Sequence, residues 1–225
     1  MSPLPASLED LRQALARGER RFPGLRLDDL DGVDLDLSSC DLSGSCFKEA
    51  RFGHARLGGA LIESCSFQQA LLWGADLSEV RAARSFWHEA DLSGSRLQGA
   101  DFREAWLHRC CLRGVVAAGS SWQNARMVEA DFRSGLDQLT DLGKADFRGA
   151  DLSFALFQGA QLSGANLRDT CLYGANLAAA NLEGADLRGC DLRDCRLSGA
   201  SLAAAQLEGS QLSEQQLAEF PLAAP

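Results

Sequence analysis

With 225 residues the chain can form one sizeable domain, and its 31 acidic against 22 basic residues leave a net charge of −9, which argues against direct binding of nucleic acid. It has no long apolar run and no hydrophobic N-terminal segment, so neither a membrane-spanning helix nor a signal peptide is expected. The eight cysteines are accordingly expected to be reduced thiols of a cytoplasmic protein.

The first predicted element is a helix within residues 1–21, in "ASLEDLRQALARGERRF". Ser7 can cap it with Asp10 three residues on, Leu8, Leu11 and Leu15 share a face, and Gly18 can end it. From residue 22 the pattern changes. In "GANLAAANLEGADLRGCDLRDC" leucine returns every fifth residue at Leu177, Leu182, Leu187 and Leu192, each two places after a small residue. A helix advances about 140° in five residues and would scatter these leucines. A plain strand would turn every second one outward. The period fits a chain that makes a short extended edge, with two residues inward, and then turns a corner. One phase holds from Leu37 to Leu212, broken only by Ala82, Ala117 and Asp137. Glycine recurs two places after the centre, where a corner needs φ freedom. All five prolines lie outside this span, as a backbone ladder requires. Residues 218–225 read as a tail. Leu217 and Phe220 can cover the last coil, and a monomer or a dimer through the C-terminal end is expected.

The motif A(D/N)LXX, carried by Ala150-Asp151-Leu152 and Ala185-Asp186-Leu187, resembles that of the pentapeptide-repeat family over residues 22–217. The resemblance implies an all-β solenoid, a right-handed quadrilateral β-helix of about nine coils capped by the N-terminal α-helix. The segment "RSGLDQLTDLG" interrupts the pattern by putting Asp137 in a core slot, a costly place for a charge, so a loop is expected at 133–141. That segment, "LLWGADLSE" and the N-terminal helix followed by "GERRF" resemble cyanobacterial members of the family that act by binding a regulatory protein.

Four pentapeptides per coil would stack residues twenty apart. On that rule Asp91, Asp131, Asp151 and Asp191 form an acidic column, and Arg148, Arg168 and Arg188 a basic one. Some relatives mimic DNA and bind gyrase, which makes a gyrase modulator the alternative function. A duplex as long as nine coils carries roughly 25 charges, far more than the net −9 of this chain. The preferred reading is a non-enzymatic protein-interaction module, because outward apolar residues are not required by the repeat. Those expected to bind a protein partner are Trp73, Phe86 and Trp106, then Val116, Leu136 and Leu156 as one column, with Leu139, Phe154 and Tyr173 around the same corner. No catalytic constellation, cofactor motif or closed metal site is read. His88 and His108 stack, but lack the further ligands of a zinc site.

Overall fold

The computed structural model describes residues 4–135, 137–213 and 216. The α-helix α1 (Leu8–Ala16) is capped by Ser7, whose Oγ accepts the backbone N–H of Asp10 at 3.1 Å. Leu11 and Ala14 are buried, Leu8 and Leu15 pack partly against the same core, and Gly18 follows with φ +84°. The helix thereby supplies apolar cover to the start of the solenoid.

Beyond α1 the chain is a ladder of isolated parallel bridges, most of them twenty residues apart. Four bridge columns define four faces. The first runs from Arg21 through Asp41 and Leu61, the second from Arg26 through Cys46 and Ser66, the third from Asp31 through Arg51 and Leu71, and the fourth from Asp36 through Arg56 and Asp76. Four pentapeptides therefore make one coil.

Hydrogen bonding explains why the unit has five residues. Around Leu77, Asp76 donates to Ala55 in the coil below, Leu77 and Glu79 donate to Arg96 and Gln98 in the coil above, and Val80 closes the corner onto Leu77. One donor remains, the N–H of Ser78, and Asp76 Oδ1 accepts it at 3.0 Å. Asp91, Asp141, Asp151, Asn176 and Asn181 do the same for the residue two places on. The Asp or Asn of the motif thus satisfies the donor that the ladder leaves over. The corner residue sits near φ +60°, which explains its frequent glycine.

The inward slots are closed to solvent from Phe22 to Leu197 and partly open from Ala200 to Leu212. Ala82 and Ala117, two departures from the leucine rule, each precede a buried tryptophan in the next slot, Trp87 or Trp122. In a close-packed interior the small residue makes room for the large one. Each indole N–H donates at 2.6 Å to a serine two places before it, Ser85 or Ser120, so neither buried indole donor is left bare. Parallel rings then line the stack: Trp87 lies over Phe67 at 4.3 Å, and Trp122 over Phe102 at 4.5 Å.

The third departure is the loop. Val116 pairs with Asp141 rather than with residue 136, twenty-five residues on instead of twenty. Asp137 is exposed there, so no charge enters the core. Thr140 takes over the small inward slot; its Oγ1 donates to the Arg133 carbonyl at 2.9 Å and accepts the N–H of Gly114 at 2.8 Å. The extrusion also moves later residues by one face. Asp91 and Asp131 share the third face with Cys111 between them, but Asp151 and Asp191 stand on the second, separated by Cys171. The single acidic column expected from the sequence is therefore corrected to two short ones. Arg148, Arg168 and Arg188, all beyond the loop, keep one column, because their neighbours Asp146, Asn166 and Asp186 bridge in series. At the far end the Gln216 amide donates to the carbonyls of Leu192 and Cys195 at 2.8 and 2.9 Å. Leu217, Phe220 and the tail 218–225 lie outside the described residues.

Two measurements test this architecture. Leu182 is fully buried, so Leu182→Asp forces a charge into the stack and is expected to unfold the adjoining coils. Asp151→Ser loses one side-chain acceptor at a corner and should cost about 1 kcal/mol or less in denaturant unfolding. Burial also pushes the Cys40 thiol up to about 11 and those of Cys65, Cys190 and Cys195 to about 12. At pH 8 a thiol reagent should leave these four unlabelled until the protein unfolds. Because their folded values lie above the unfolded one, the stability they contribute is complete below about pH 8.5 and falls as pH rises through 11 to 12.

Candidate functional site

Asp–Arg pairs recur along the outer surface. The Arg188 and Arg193 guanidinium groups hold the Asp186 and Asp191 carboxyls below the ordinary carboxylate range. Arg148 grips Asp146 in the same way, and Arg113 and Arg133 converge on Asp131. Of the four column carboxylates, Asp131 and Asp191 meet guanidinium partners, whereas Asp91 and Asp151 accept hydrogen bonds only from Ser93 and Ser153.

The large exposed apolar residues interrupt this pattern. On the second face Phe86 and Trp106 bridge on adjacent coils with ring centroids 6.2 Å apart, and the Arg126 guanidinium lies 4.3 Å above the Trp106 ring. Beside them His88 and His108 stack at 5.3 Å, with only 3° between their planes. Together with Gln68 these four rings line a shallow groove of about 360 Å³. On the third face Trp73 meets His54 edge-on at 4.5 Å and lies across Gly53, where any β-carbon would fall 2.5 Å from the indole. A side chain at Gly53 would displace the indole from this position.

Phe154 and Tyr173 form the other aromatic pair, at the corner between the second and third faces, edge-on at 5.5 Å. Phe154 is 50 % exposed and holds φ +60°. Among the described residues no other non-glycine corner of that conformation carries a large apolar side chain. Its ring passes over Gly174, where a β-carbon would sit 2.7 Å away.

The column expected from Val116, Leu136 and Leu156 does not form. Leu156 stands on the third face between Asp131 and Asn176, whereas Val116 stands on the fourth between Arg96 and Asp141. Both are half-buried. The five extra residues of the loop explain the error, since they displace everything after residue 133 by one face. Leu139 is 59 % exposed on the loop, between the third and fourth faces, and so stands apart from Phe154 and Tyr173; Leu136 lies outside the described residues. The loop roofs a second hollow of about 470 Å³ with Ser93, Arg113 and Asp137 among its walls. Among the described residues no three His, Cys, Asp or Glu side chains are placed to hold a metal ion together.

Two features escaped the sequence reading. The pattern A-A-x-S-x-W, at Ala82–Trp87 and Ala117–Trp122, was legible as a repeated exception. Phe154's strained corner could also have been read from its place two after Leu152.

Four faces, a five-residue unit and a parallel ladder define the class as a quadrilateral β-helical solenoid. The profile described as "Pentapeptide repeats (8 copies)" matches residues 75–114, 145–184 and 180–214. The crystal structure of HetL, a pentapeptide-repeat protein involved in heterocyst differentiation regulation from the cyanobacterium Nostoc sp. strain PCC 7120, is 30% identical, with a TM-score of 0.75 over 93% of this chain and 98% of HetL. The chain belongs to the pentapeptide-repeat family, whose members form right-handed quadrilateral β-helices. Rfr23 from the cyanobacterium Cyanothece 51142 is 29% identical over 42% of this chain and 60% of its own, with a TM-score of 0.38. QnrB1, a plasmid-mediated fluoroquinolone resistance protein, is 19% identical over 90% of this chain and 99% of its own, with a TM-score of 0.46. No curated protein sequence matches the chain.

The loop is expected to be dispensable for the stack. Removing residues 135–139 joins Ser134 to Thr140 and restores a regular unit, with serine at a corner conformation that Ser39 and Ser64 already adopt. Thermal unfolding of this variant should stay within about 4 °C of the parent, equivalent to about 1 kcal/mol. A larger fall would make the loop a structural element.

Proposed function

We propose that the chain is a non-catalytic, regulatory protein-interaction module, a stiff prism that binds a protein partner through its exposed aromatic side chains. The observation that carries this reading is Phe154. A left-handed corner costs a non-glycine residue about 1–2 kcal/mol, and the edge-on contact with Tyr173 returns only about 0.5–1.5 kcal/mol. Folding alone gives no reason to place a half-exposed phenylalanine there, whereas a partner pocket does. Phe86, Trp106, Tyr173 and Trp73 extend the same kind of surface over neighbouring coils, and Leu139 adds an exposed contact on the loop. A ladder with its donors satisfied offers these groups already ordered, so little entropy is lost on association. HetL's involvement in heterocyst differentiation regulation supports a regulatory role of this kind. The gyrase-modulating alternative draws less support, because the net charge of −9 is far below that of a duplex and two of the four column carboxylates, Asp131 and Asp191, are paired with arginine.

The cytoplasm is the proposed location. All eight cysteines are unpaired, and none of the described helices is long and apolar enough to cross a membrane. A monomer, or a dimer through the C-terminal end, is proposed as the working form.

The test is affinity capture from an extract of the source cells with the parent, Phe154→Gly and Trp106→Ser proteins as bait. Phe154→Gly should unfold no more easily than the parent, yet lose the captured protein or bind it at least tenfold more weakly, the ~1.4 kcal/mol of one lost anchor. Equal capture by all three baits would refute the aromatic surface. Capture that vanishes steeply with salt and with Asp91→Asn and Asp131→Asn would favour the DNA-mimic alternative.

A further inference from the structure

The sides of the prism are already saturated as sheets. On the second face Phe86 and Trp106 donate to Cys65 and Ser85 in the coil below, and Trp87 and Leu107 to Trp106 and Arg126 in the coil above. These bonds run along the prism axis, so the face has no strand edge to which an extended segment could add. A strand laid across it would strip water from its own N–H and C=O groups and give them no partners. An occupant of this face must satisfy its own backbone, as an α-helix does.

The apolar residues of the face form a diagonal strip. Phe86, Trp106, Arg126, Asp151 and Cys171 bridge in series, so the strip crosses five coils, about 19 Å at a rise of ~4.8 Å per coil. Phe86 and Trp106 stand before the buried centre of their coils, Val128 and Tyr173 after it, and Phe154 at the corner beyond. At one end His88 and His108 wall the groove with Phe86 and Trp106. The Nδ1 of His108, 2.9 Å from the Val128 carbonyl oxygen, holds that wall in place. A helical turn of ~5.4 Å projects onto the coil rise when the axis tilts by about 27°, and a diagonal strip calls for a tilted axis. One turn then faces each coil. A polyproline helix repeats at ~9.3 Å and would leave every second coil unmatched.

The rim sets the charge of the occupant. Arg109 and Arg193 are taken by Glu129 and Asp191. Glu89, Asp91 and Asp151 meet no arginine among the described residues and accept instead from Gln69, Ser93 and Ser153. Asp194 accepts from the Tyr173 hydroxyl. Arg126 is the exception, and its guanidinium lies over the Trp106 ring. We propose that the second face seats a basic amphipathic α-helix of about 14 residues from the partner protein. Its apolar side lies on the strip, and its lysines or arginines reach Glu89 and Asp194. This inference rests on the aromatic surface proposed above and adds the chemistry of its occupant.

Two phage-displayed libraries of ~18-residue peptides, selected on the full chain, test it. One has an alanine-rich helical frame with a randomised face, and the other a proline frame that cannot form a helix. Binders are expected from the helical library alone, with apolar residues at i, i+4, i+7 and i+11 and Lys or Arg beside them. By calorimetry they should bind the Trp106→Ser, Phe154→Gly chain tenfold or more weakly, and the Glu89→Gln, Asp194→Asn chain about threefold more weakly. Circular dichroism checks that both variants keep the fold. Binders from the proline library, helical binders with acidic flanks, or no binders at all would overturn the helix. Proline-framed binders that are lost with the aromatic pair would do so while leaving the aromatic surface standing. Helical binders held equally by the parent and the aromatic variant would overturn both.

Discussion

The structure depends on one constraint: every backbone donor of a five-residue corner must find an acceptor. Ladder bonds to the coils above and below satisfy three, a tight bond across the corner satisfies a fourth, and the side chain of the motif's Asp or Asn takes the fifth. The same residue that makes the surface acidic is thereby occupied by the fold. This is why the charge of the chain says little about its partners, and why arginines two places on, as in Asp146–Arg148 and Asp191–Arg193, neutralise it locally.

Function is then written in what the repeat does not need. The inward slots demand volume and the corners demand left-handed backbone, but the outward slots are free. Phe86, Trp106, Trp73 and Tyr173 are exposed at such places, and Phe154 at a corner. Two of the rings lie over glycine on a neighbouring coil, Trp73 over Gly53 and Phe154 over Gly174, so a side chain at either glycine would displace the ring. On the proposed reading, a prism built this way would have its binding groups in place before a partner arrives.

The loop shows how a local insertion acts at long range. Extruding five residues spares Asp137 a buried position and lets Thr140 close the corner. It also fixes which ring stacks on which: Trp122 lies parallel to Phe147, and Phe132 to Phe157, each twenty-five residues on. A regular corner would instead stack Asp137 in the core. The penalty for a buried charge and the continuity of the ring stack both favour the extruded register.

The sequence by itself determined the solenoid, the inward leucine and small-residue slots, the capping helix and the place of the interruption. Each follows from local periodicity and from the cost of burying a charge. With the four-sided coil that the family resemblance implies, it also placed Phe86 and Trp106, and His88 and His108, on adjacent coils, because no insertion separates them. Tertiary structure alone decided the rest. Periodicity shows that a loop exists but not how many residues leave the ladder, and only the Val116–Asp141 bridge fixed that number. It sent Val116 and Leu156 to different faces, divided the acidic column, and gave His108 its carbonyl partner, since those contacts join residues distant in the chain through hydrogen bonds that no spacing encodes.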